Sequence, residues 1–233
     1  MKPQERRLTA LGEQQGRQLA SKWTKTAVLR SHPTIVPHIP PTKRYSSENL
    51  RSMLNTHQMV VVKPVRGAGG HGVIKVSKTD VGYSYSYYAK TRSFSSFESM
   101  KRSLDKCKKK RAYLIQKGIR LATVNGRPID YRVKYVKTEK GWVYRAIVGR
   151  IAKPGLFVTN ICRGGTLVSA AQGIRMSLSP SLVGVKKRKM RELTVLSTQL
   201  LEMRFPGIGQ LGFDYGIDTE GNIWIFEVNT RPQ

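Results

Sequence analysis

Gly212-Phe213-Asp214 and Trp224-Ile225-Phe226-Glu227-Val228-Asn229 are two apolar segments separated by the turn Asp218-Thr219-Glu220-Gly221-Asn222. Folded as a hairpin, they bring Asp214, Glu227 and Asn229 together. Two carboxylates and an amide carbonyl are hard donors of the kind that suits Mg²⁺, an ion that also holds nucleotide phosphates. The chain has only 14 Asp and Glu against 42 Lys and Arg. Carboxylates set among apolar strand residues therefore need a reason, and metal binding supplies one.

The same imbalance gives a formal charge of +28 over 233 residues. Such a field attracts nucleotides, acidic polymers, nucleic acid or anionic membranes. The length allows one large α/β domain or two small lobes. A hydrophobic fraction of 39% is enough for a folded core, and the 21 glycines suit loops that approach a ligand closely. No apolar run reaches the roughly 18 residues of a spanning helix, and Met1 to Arg7 lacks the apolar stretch of a secretory signal. Cys107 and Cys162 stand far apart, so a reducing, cytoplasmic setting is expected rather than a disulfide framework.

Working back along the chain, Leu193, Leu196, Leu200 and Met203 predict an amphipathic helix stopped by Pro206-Gly207. Tyr131 to Val136 alternates and is joined across Glu139-Lys140-Gly141 to Trp142 to Ile151, a long hairpin. Tyr113 to Gln116 and Met59 to Val62 predict strands, as do Val73 to Val76 and Tyr83 to Tyr88. Phe97, Met100 and Leu104 have helical spacing, and Ser46 or Ser47 can cap a short helix through Leu50, Met53 and Leu54. Before these lie a weakly amphipathic segment from Leu19 to Leu29 and the proline-rich stretch Pro33 to Pro41, which must be extended or turning. The expected organisation is a lead-in over residues 1–58, a lobe over 59–118 and a second lobe over 119–233.

Several other positions can carry chemistry. The loop Gly67-Ala68-Gly69-Gly70-His71-Gly72 lies between two predicted strands and can fold over a polyphosphate, donating backbone N–H groups. Lys63, ending the preceding strand, can point at the same phosphates. The loop is neither a Walker A motif nor a dinucleotide fingerprint, and taken alone it equally suits a hairpin turn. Arg132 and Arg150 sit on the two arms of the long hairpin, where an arginine fork can hold a phosphate or carboxylate. Either one alone also suits a solvated strand face, and Asp130 is placed to orient Arg132. Asn160 precedes Arg163-Gly164-Gly165 as ordinary turn chemistry. His32, His38, His57 and His71 lack metal-ligand spacing. The runs Lys108 to Arg111 and Lys186 to Lys189 suit solvated faces or an acidic partner.

Taken in order, Val61-Val62-Lys63-Pro64, the glycine loop, Tyr113 to Ile119, Asp130-Tyr131-Arg132, Arg150, Val158-Thr159-Asn160, Gly164-Gly165, Gly212-Phe213-Asp214 and Glu227-Val228-Asn229 resemble the ATP-grasp superfamily. The likeness covers roughly residues 20 to 233, and the ordered set is far more specific than any member of it. Within the superfamily the chain resembles the YheC/YheD type of spore-forming bacteria, through Leu114 to Ile119, Asn125 to Arg132 and Val158 to Gly165; glutathione synthetase is a more distant likeness. The resemblance implies an α+β fold of two lobes with antiparallel sheets gripping ATP between them. It assigns nucleotide contacts to Lys22, Lys63, Gly67, Gly69, Gly70, Gly72, Asn160 and the hinge Gln116-Lys117-Gly118-Ile119, which reads adenine through its backbone. Arg132 and Arg150 fall at the transferred phosphate or the substrate carboxylate, and Asp214, Glu227 and Asn229 at Mg²⁺. Lys117 and Arg120 stand where superfamily members often place acids for the ribose. No βαβ pattern precedes Met59, so the additional N-terminal substrate domain of many relatives is not expected in this chain.

Three function classes follow. The first is an ATP-dependent carboxylate–amine ligase working through an acyl phosphate, with an acidic carboxylate substrate suggested by the positive field. The resemblance adds a sporulation setting with spore coat proteins as partners. The second is a catalytically silent ATP-binding module of the spore coat. The third is a basic protein for nucleic acid or another polyanion, with Tyr83, Tyr85, Tyr87 and Tyr88 as stacking candidates. Charge by itself predicts only salt-sensitive, non-specific binding.

Overall fold

The computed structural model describes residues 16–67 and 69–230. Met1 to Arg7, Ala68 of the glycine loop and the last three residues lie outside them. The first helix, α1 (Lys22–Arg30), starts at Ser21, whose hydroxyl accepts from the Thr24 amide at 3.2 Å. It turns Lys22, Lys25 and Leu29 inward, the one-face spacing of a helix.

Strands β1 (Thr42–Arg44), β2 (Met59–Pro64), β3 (Ile74–Thr79), β4 (Gly82–Tyr87), β5 (Lys90–Phe94) and β6 (Tyr113–Lys117) form an antiparallel sheet in the order β1-β6-β2-β3-β4-β5. Helices α2 (Ser47–His57) and α3 (Phe97–Cys107) cover it. Leu50, Met53, Leu54, Phe97, Met100 and Leu104 pack on Val60, Val62, Ile74, Val76 and Ile115. Of the two serines before α2, Ser46 is the cap, accepting from the Asn49 amide at 3.0 Å.

The second sheet contains β7 (Thr123–Val124), β8 (Arg127–Thr138), β9 (Gly141–Ile151), β10 (Thr166–Ser169), β11 (Gln210–Ile217) and β12 (Ile223–Thr230), in the order β10-β9-β8-β11-β12 with β7 paired to β8. Helices α4 (Ala170–Ser177) and α5 (Leu182–Arg204) pack on it together with α1. Tyr131, Val133, Phe213 and Tyr215 alternate toward these helices and are fully buried. The period of two therefore sends Asp130, Arg132, Asp214 and Gly212 to the opposite face.

The residues before Met59 are divided between the two sheets. Leu29, Ile35 and Ile39 enter the second core, whereas β1 and α2 belong to the first. The buried face of α5 also differs from the expected one. Met190, Leu193, Thr194, Ser197, Thr198 and Leu201 face the sheet, while Met203 is 76% exposed. Leu193 is buried and Leu196 and Leu200 pack against the core, so of the expected stripe only Met203 turns outward, and what the stripe lacked is the hydroxyl-bearing half of the face. Thr194 and the Tyr215 hydroxyl hydrogen-bond at 2.8 Å, and Thr198 donates to the Thr194 carbonyl at 2.7 Å. Thr194 and Thr198, small residues whose hydroxyls find partners, let the helix lie close on the sheet.

Candidate active site between the two sheets

Five charged side chains cross the second sheet in register. Asp130 pairs with Arg150 across β8 and β9, Arg132 with Asp214 across β8 and β11, and Asp214 with Glu227 across β11 and β12. Arg150 Nε and Nη2 donate to the two oxygens of Asp130 at 2.8 and 2.6 Å, and Nη2 also lies 3.0 Å from Asp214 Oδ1. Arg132 grips Asp214 in two-point fashion through Nε and Nη2. Asp130 thus orients Arg150 and not the adjacent Arg132, because alternation fixes its partner across the strands, not along the chain. Neither arginine is a solvated strand residue: Arg150 is 6% exposed, and Arg132 is held by Asp214.

Burial pushes the Asp214 carboxyl up, but Arg150 and Arg132 overcome it and hold the group below the usual carboxylate range. Asp130, also buried, is pushed up on balance despite Arg150. The two arginines therefore favour the ionised form of Asp214, the form a hard cation would need in a ligand.

Three lysines converge on the other side of the hairpin. Lys22 Nζ lies 2.7 Å from Glu227 Oε1 and donates to the Gly67 carbonyl at 2.5 Å, so one ammonium joins the hairpin to the glycine loop. Lys63 comes from the first sheet and donates to Gln116 Oε1 and to the Phe226 carbonyl, both at 2.8 Å. Gln116 in turn donates to Thr42 Oγ1 at 3.1 Å. A register shift between Asp214 and Tyr215 leaves Phe226 out of the ladder, and a bulge of this kind re-aims a backbone group. Here the Phe226 carbonyl accepts the ammonium from the opposite sheet. Lys25 donates to the Leu19 carbonyl. Burial lowers Lys25 and Lys63 each to about 8, against a partial upward pull from Glu227.

The glycine loop closes over this cluster. Gly67, Gly69, Gly70 and Gly72 all have positive φ. A Cβ on Gly70 would overlap Asn160 Oδ1, so only glycine lets the loop approach the second lobe this closely. Arg163 Nε donates to the Gly69 carbonyl at 3.3 Å, and its Nη2 donates to His71 Nδ1 at 2.6 Å. Asn160 sits at the start of a single 3₁₀ turn, Ile161–Arg163, and it faces the loop.

At the hinge, the Lys117 amide donates to the Pro41 carbonyl at 2.8 Å and the Gly118 amide to the Met59 carbonyl at 2.9 Å. Neither amide remains for a base. The Ile119 amide makes no backbone hydrogen bond among the described residues. The Lys117 ammonium lies 5.3 Å from the centre of the Trp224 ring.

The cluster fits a polyphosphate with a hard divalent cation. Lys22, Lys25, Lys63, Arg132 and Arg150 gather around the three carboxylates Asp130, Asp214 and Glu227. Two positive charges are left over in a largely buried place, which a multiply charged anion would neutralise. Asp214 and Glu227 are cross-strand partners, Asn229 lies two residues on and opposite Gly212, and no protein hydrogen bond engages the Asn229 side chain among the described residues. Lys25 and the Phe226 carbonyl were not singled out from sequence. Lys25 had a signal, its helical spacing from Lys22 and Leu29. The carbonyl had none, since a bulge leaves no mark in residue types.

The comparisons with known proteins bear on the family and the fold. Residues 14–233 match the family model described as YheC/D like ATP-grasp. The chain is 30% identical over 220 residues to the endospore coat-associated protein YheD of Bacillus subtilis, covering 91% of this chain and 48% of that one. Against YheC of the same organism the identity is 27% over 231 residues, 93% of this chain and 61% of that protein. The chain thus spans about half to three-fifths of the length of these relatives. Among solved structures, D-alanyl-alanine synthetase A of Vibrio cholerae superposes with a TM-score of 0.51 at 14% identity, over 83% of this chain and 50% of that one. N5-carboxyaminoimidazole synthetase of Staphylococcus aureus, complexed with ADP, gives 0.58 at 11% identity, over 92% and 45%. These likenesses show the fold, two antiparallel sheets with their helices in the ATP-grasp arrangement. From residue 14 to its end, this chain belongs to the YheC/D-like ATP-grasp family.

Proposed function

We propose that the chain binds Mg-ATP between its two sheets and serves an ATP-dependent carboxylate–amine ligase reaction. The observation that carries this reading is the cross-strand pair Asp214–Glu227, approached by Lys22 from α1 and by Lys63 from the opposite sheet. Asp214, Glu227 and Asn229 would hold Mg²⁺, which supplies charge neutralisation at the phosphates. The resemblance and the solved neighbours with bound ATP or ADP support a nucleotide in this place.

A carboxylate is a poor electrophile. Transfer of the γ-phosphoryl group to a carboxylate oxygen releases ADP and gives an acyl phosphate. An amine then attacks the carbonyl carbon and expels phosphate. Phosphoryl transfer needs positioning and charge stabilisation more than covalent help. Lys63 and Lys22 bind the phosphates in this reading. Arg150 and Arg132, aimed by Asp130 and Asp214, face the transferred group or the acceptor carboxylate. The glycine loop excludes water from the acyl phosphate. The free Ile119 amide meets the adenine edge. The acceptor is an acidic carboxylate compound, consistent with the charge of +28, and the names of YheD and YheC point to a spore coat setting.

The test is calorimetric titration of ATP with and without Mg²⁺, followed by ADP release with candidate acids and amines. Mg²⁺-dependent binding with acid-dependent ADP release supports the ligase. Binding without turnover across the screen leaves a silent ATP module. No ATP binding at moderate salt removes both.

A further inference from the structure

The outer edge of the second sheet is only half covered. β10 pairs with Val148 to Ile151 of β9. From Trp142 to Ile147, β9 is paired to β8 on one side, and no strand lies on the other among the described residues. Where β10 ends and turns into α4, this open edge borders a groove of about 260 Å³ walled by Tyr144, Ala146 and Ile147 of β9, Ala171 of α4, and Lys187 and Arg191 of α5.

Edge and groove together have the shape and charge of a peptide site. An unpaired strand edge is a template for an added strand, whose backbone gives affinity and whose alternate side chains enter adjacent pockets. Lys187 and Arg191 stand one helical turn apart, and neither has a carboxylate partner among the described residues. Arg191 is fixed in place: its guanidinium lies 5.3 Å from the Tyr144 ring centre, and its carbonyl accepts the Tyr144 hydroxyl at 3.0 Å. Ala146 and Ala171 leave room beside the cations.

We infer that this edge docks an extended, acidic segment of another polypeptide, which adds as a strand to β9 and places alternate carboxylates on Lys187 and Arg191. A second copy of this chain is a poor occupant, since each carries +28. Nucleic acid would use the cations but has no use for the strand edge.

The test is fluorescence anisotropy on the full chain at about 150 mM salt, where long-range steering is largely screened. The probe is a labelled peptide alternating Glu and Thr. Its counterpart is N-methylated on the residues of one edge, keeping the charge and removing the backbone donors. The unmodified peptide is expected to bind at least about tenfold tighter than the N-methylated one, the worth of one or two hydrogen bonds. Lys187→Glu/Arg191→Glu should lose a similar factor, with Lys187→Gln/Arg191→Gln as the milder pair should the first fail to fold. Lys63→Ala, in the cleft, should leave peptide binding unchanged. The inference is overturned if the peptide does not bind. It is equally overturned if the N-methylated peptide or an oligonucleotide of equal charge binds as tightly, or if the α5 variants bind like the parent.

Discussion

Asp214 and Glu227 face one another across β11 and β12, yet each is answered by cations from a different quarter. Arg132 and Arg150 of the same sheet hold Asp214, and Lys22 of α1 holds Glu227. A divalent cation at this pair must compete with Lys22 for Glu227, and the displaced ammonium is then free for a phosphate. Metal and nucleotide should therefore bind with positive linkage.

Glu227→Gln tests that linkage. Free ATP should bind the variant at least as tightly as the parent, because Lys22 no longer has a carboxylate partner. The extra affinity that Mg²⁺ confers should fall by about ten- to a hundredfold, at least what loss of a supporting metal contact costs. Titration calorimetry with and without Mg²⁺ reads both quantities. A variant that keeps the full Mg²⁺ enhancement would remove Glu227 from the ligand set.

Lys63 and Lys25 set a pH dependence. Burial lowers each to about 8 from 10.5, so between these values the unfolded chain binds more protons than the folded one. Stability of the nucleotide-free protein should therefore rise as pH climbs through this window, and the lysines' destabilising effect is fully present below it. Phosphates beside the ammonium groups favour the charged forms, so ATP binding near pH 8.5 should take up protons. Calorimetry in buffers of different ionisation enthalpy measures the uptake, and Lys63→Met should reduce it. Uptake that Lys63→Met leaves intact would separate Lys63 from the phosphates.

Arg150 stands between two buried carboxylates, Asp130 and Asp214. Arg150→Met leaves Asp130 without its partner and should destabilise the fold by about 3–5 kcal/mol, the cost of breaking a buried pair from one side. Asp130→Asn/Arg150→Met should recover part of this, because Arg132 still holds Asp214. Urea denaturation of the two variants decides the point. Equal stability of the single and double variants would show that Asp130 is not the group left exposed to the loss.

The fold was legible where period and breaker agree. Met59 to Val62, Tyr113 to Gln116 and the hairpin from Tyr131 to Ile151 lie within observed strands, because each is a β-branched or aromatic run bounded by turn residues. Elements without that contrast went unseen: β5 is Lys90-Thr91-Arg92-Ser93-Phe94, almost wholly exposed, and β10 is a short edge strand. In the site, the residue types suggested a chemistry but could not choose partners. Asp130 is two residues from Arg132 along the chain, yet strand register gives it to Arg150. The Lys63–Phe226 contact joins residues 163 apart in sequence, and local pattern carries no information about such a meeting.

The polar face of α5 offers a test of packing. Ser197 Oγ is buried without a hydrogen-bond partner among the described residues. Removing an unsatisfied hydroxyl relieves a desolvation cost of about 1–3 kcal/mol, against which stands the small loss of packing. Ser197→Ala should be neutral or stabilising, read as an unchanged or raised urea midpoint at constant slope. Thr194→Ala should go the other way, since it strips the Tyr215 hydroxyl of its partner. The reverse order would mean that the Ser197 hydroxyl is bonded in solution.

Gly70 tests whether the closed loop is the nucleotide-binding arrangement. Its φ is +68°, and an added Cβ would overlap Asn160 Oδ1, so alanine there meets two obstacles. The left-handed backbone costs a non-glycine residue about 1–2 kcal/mol, and the overlap adds to it. Gly70→Ala should raise amide exchange across the loop and weaken ATP binding, with overall stability little changed because the loop is at the surface. Adding Asn160→Ala removes the overlap but not the backbone cost, so the double variant should recover only part of the affinity. Full recovery would show that the Asn160 contact alone matters. Unchanged exchange and affinity in Gly70→Ala would mean that the loop does not close on Asn160 when ATP binds, and the role of the glycines would then lie in the open state.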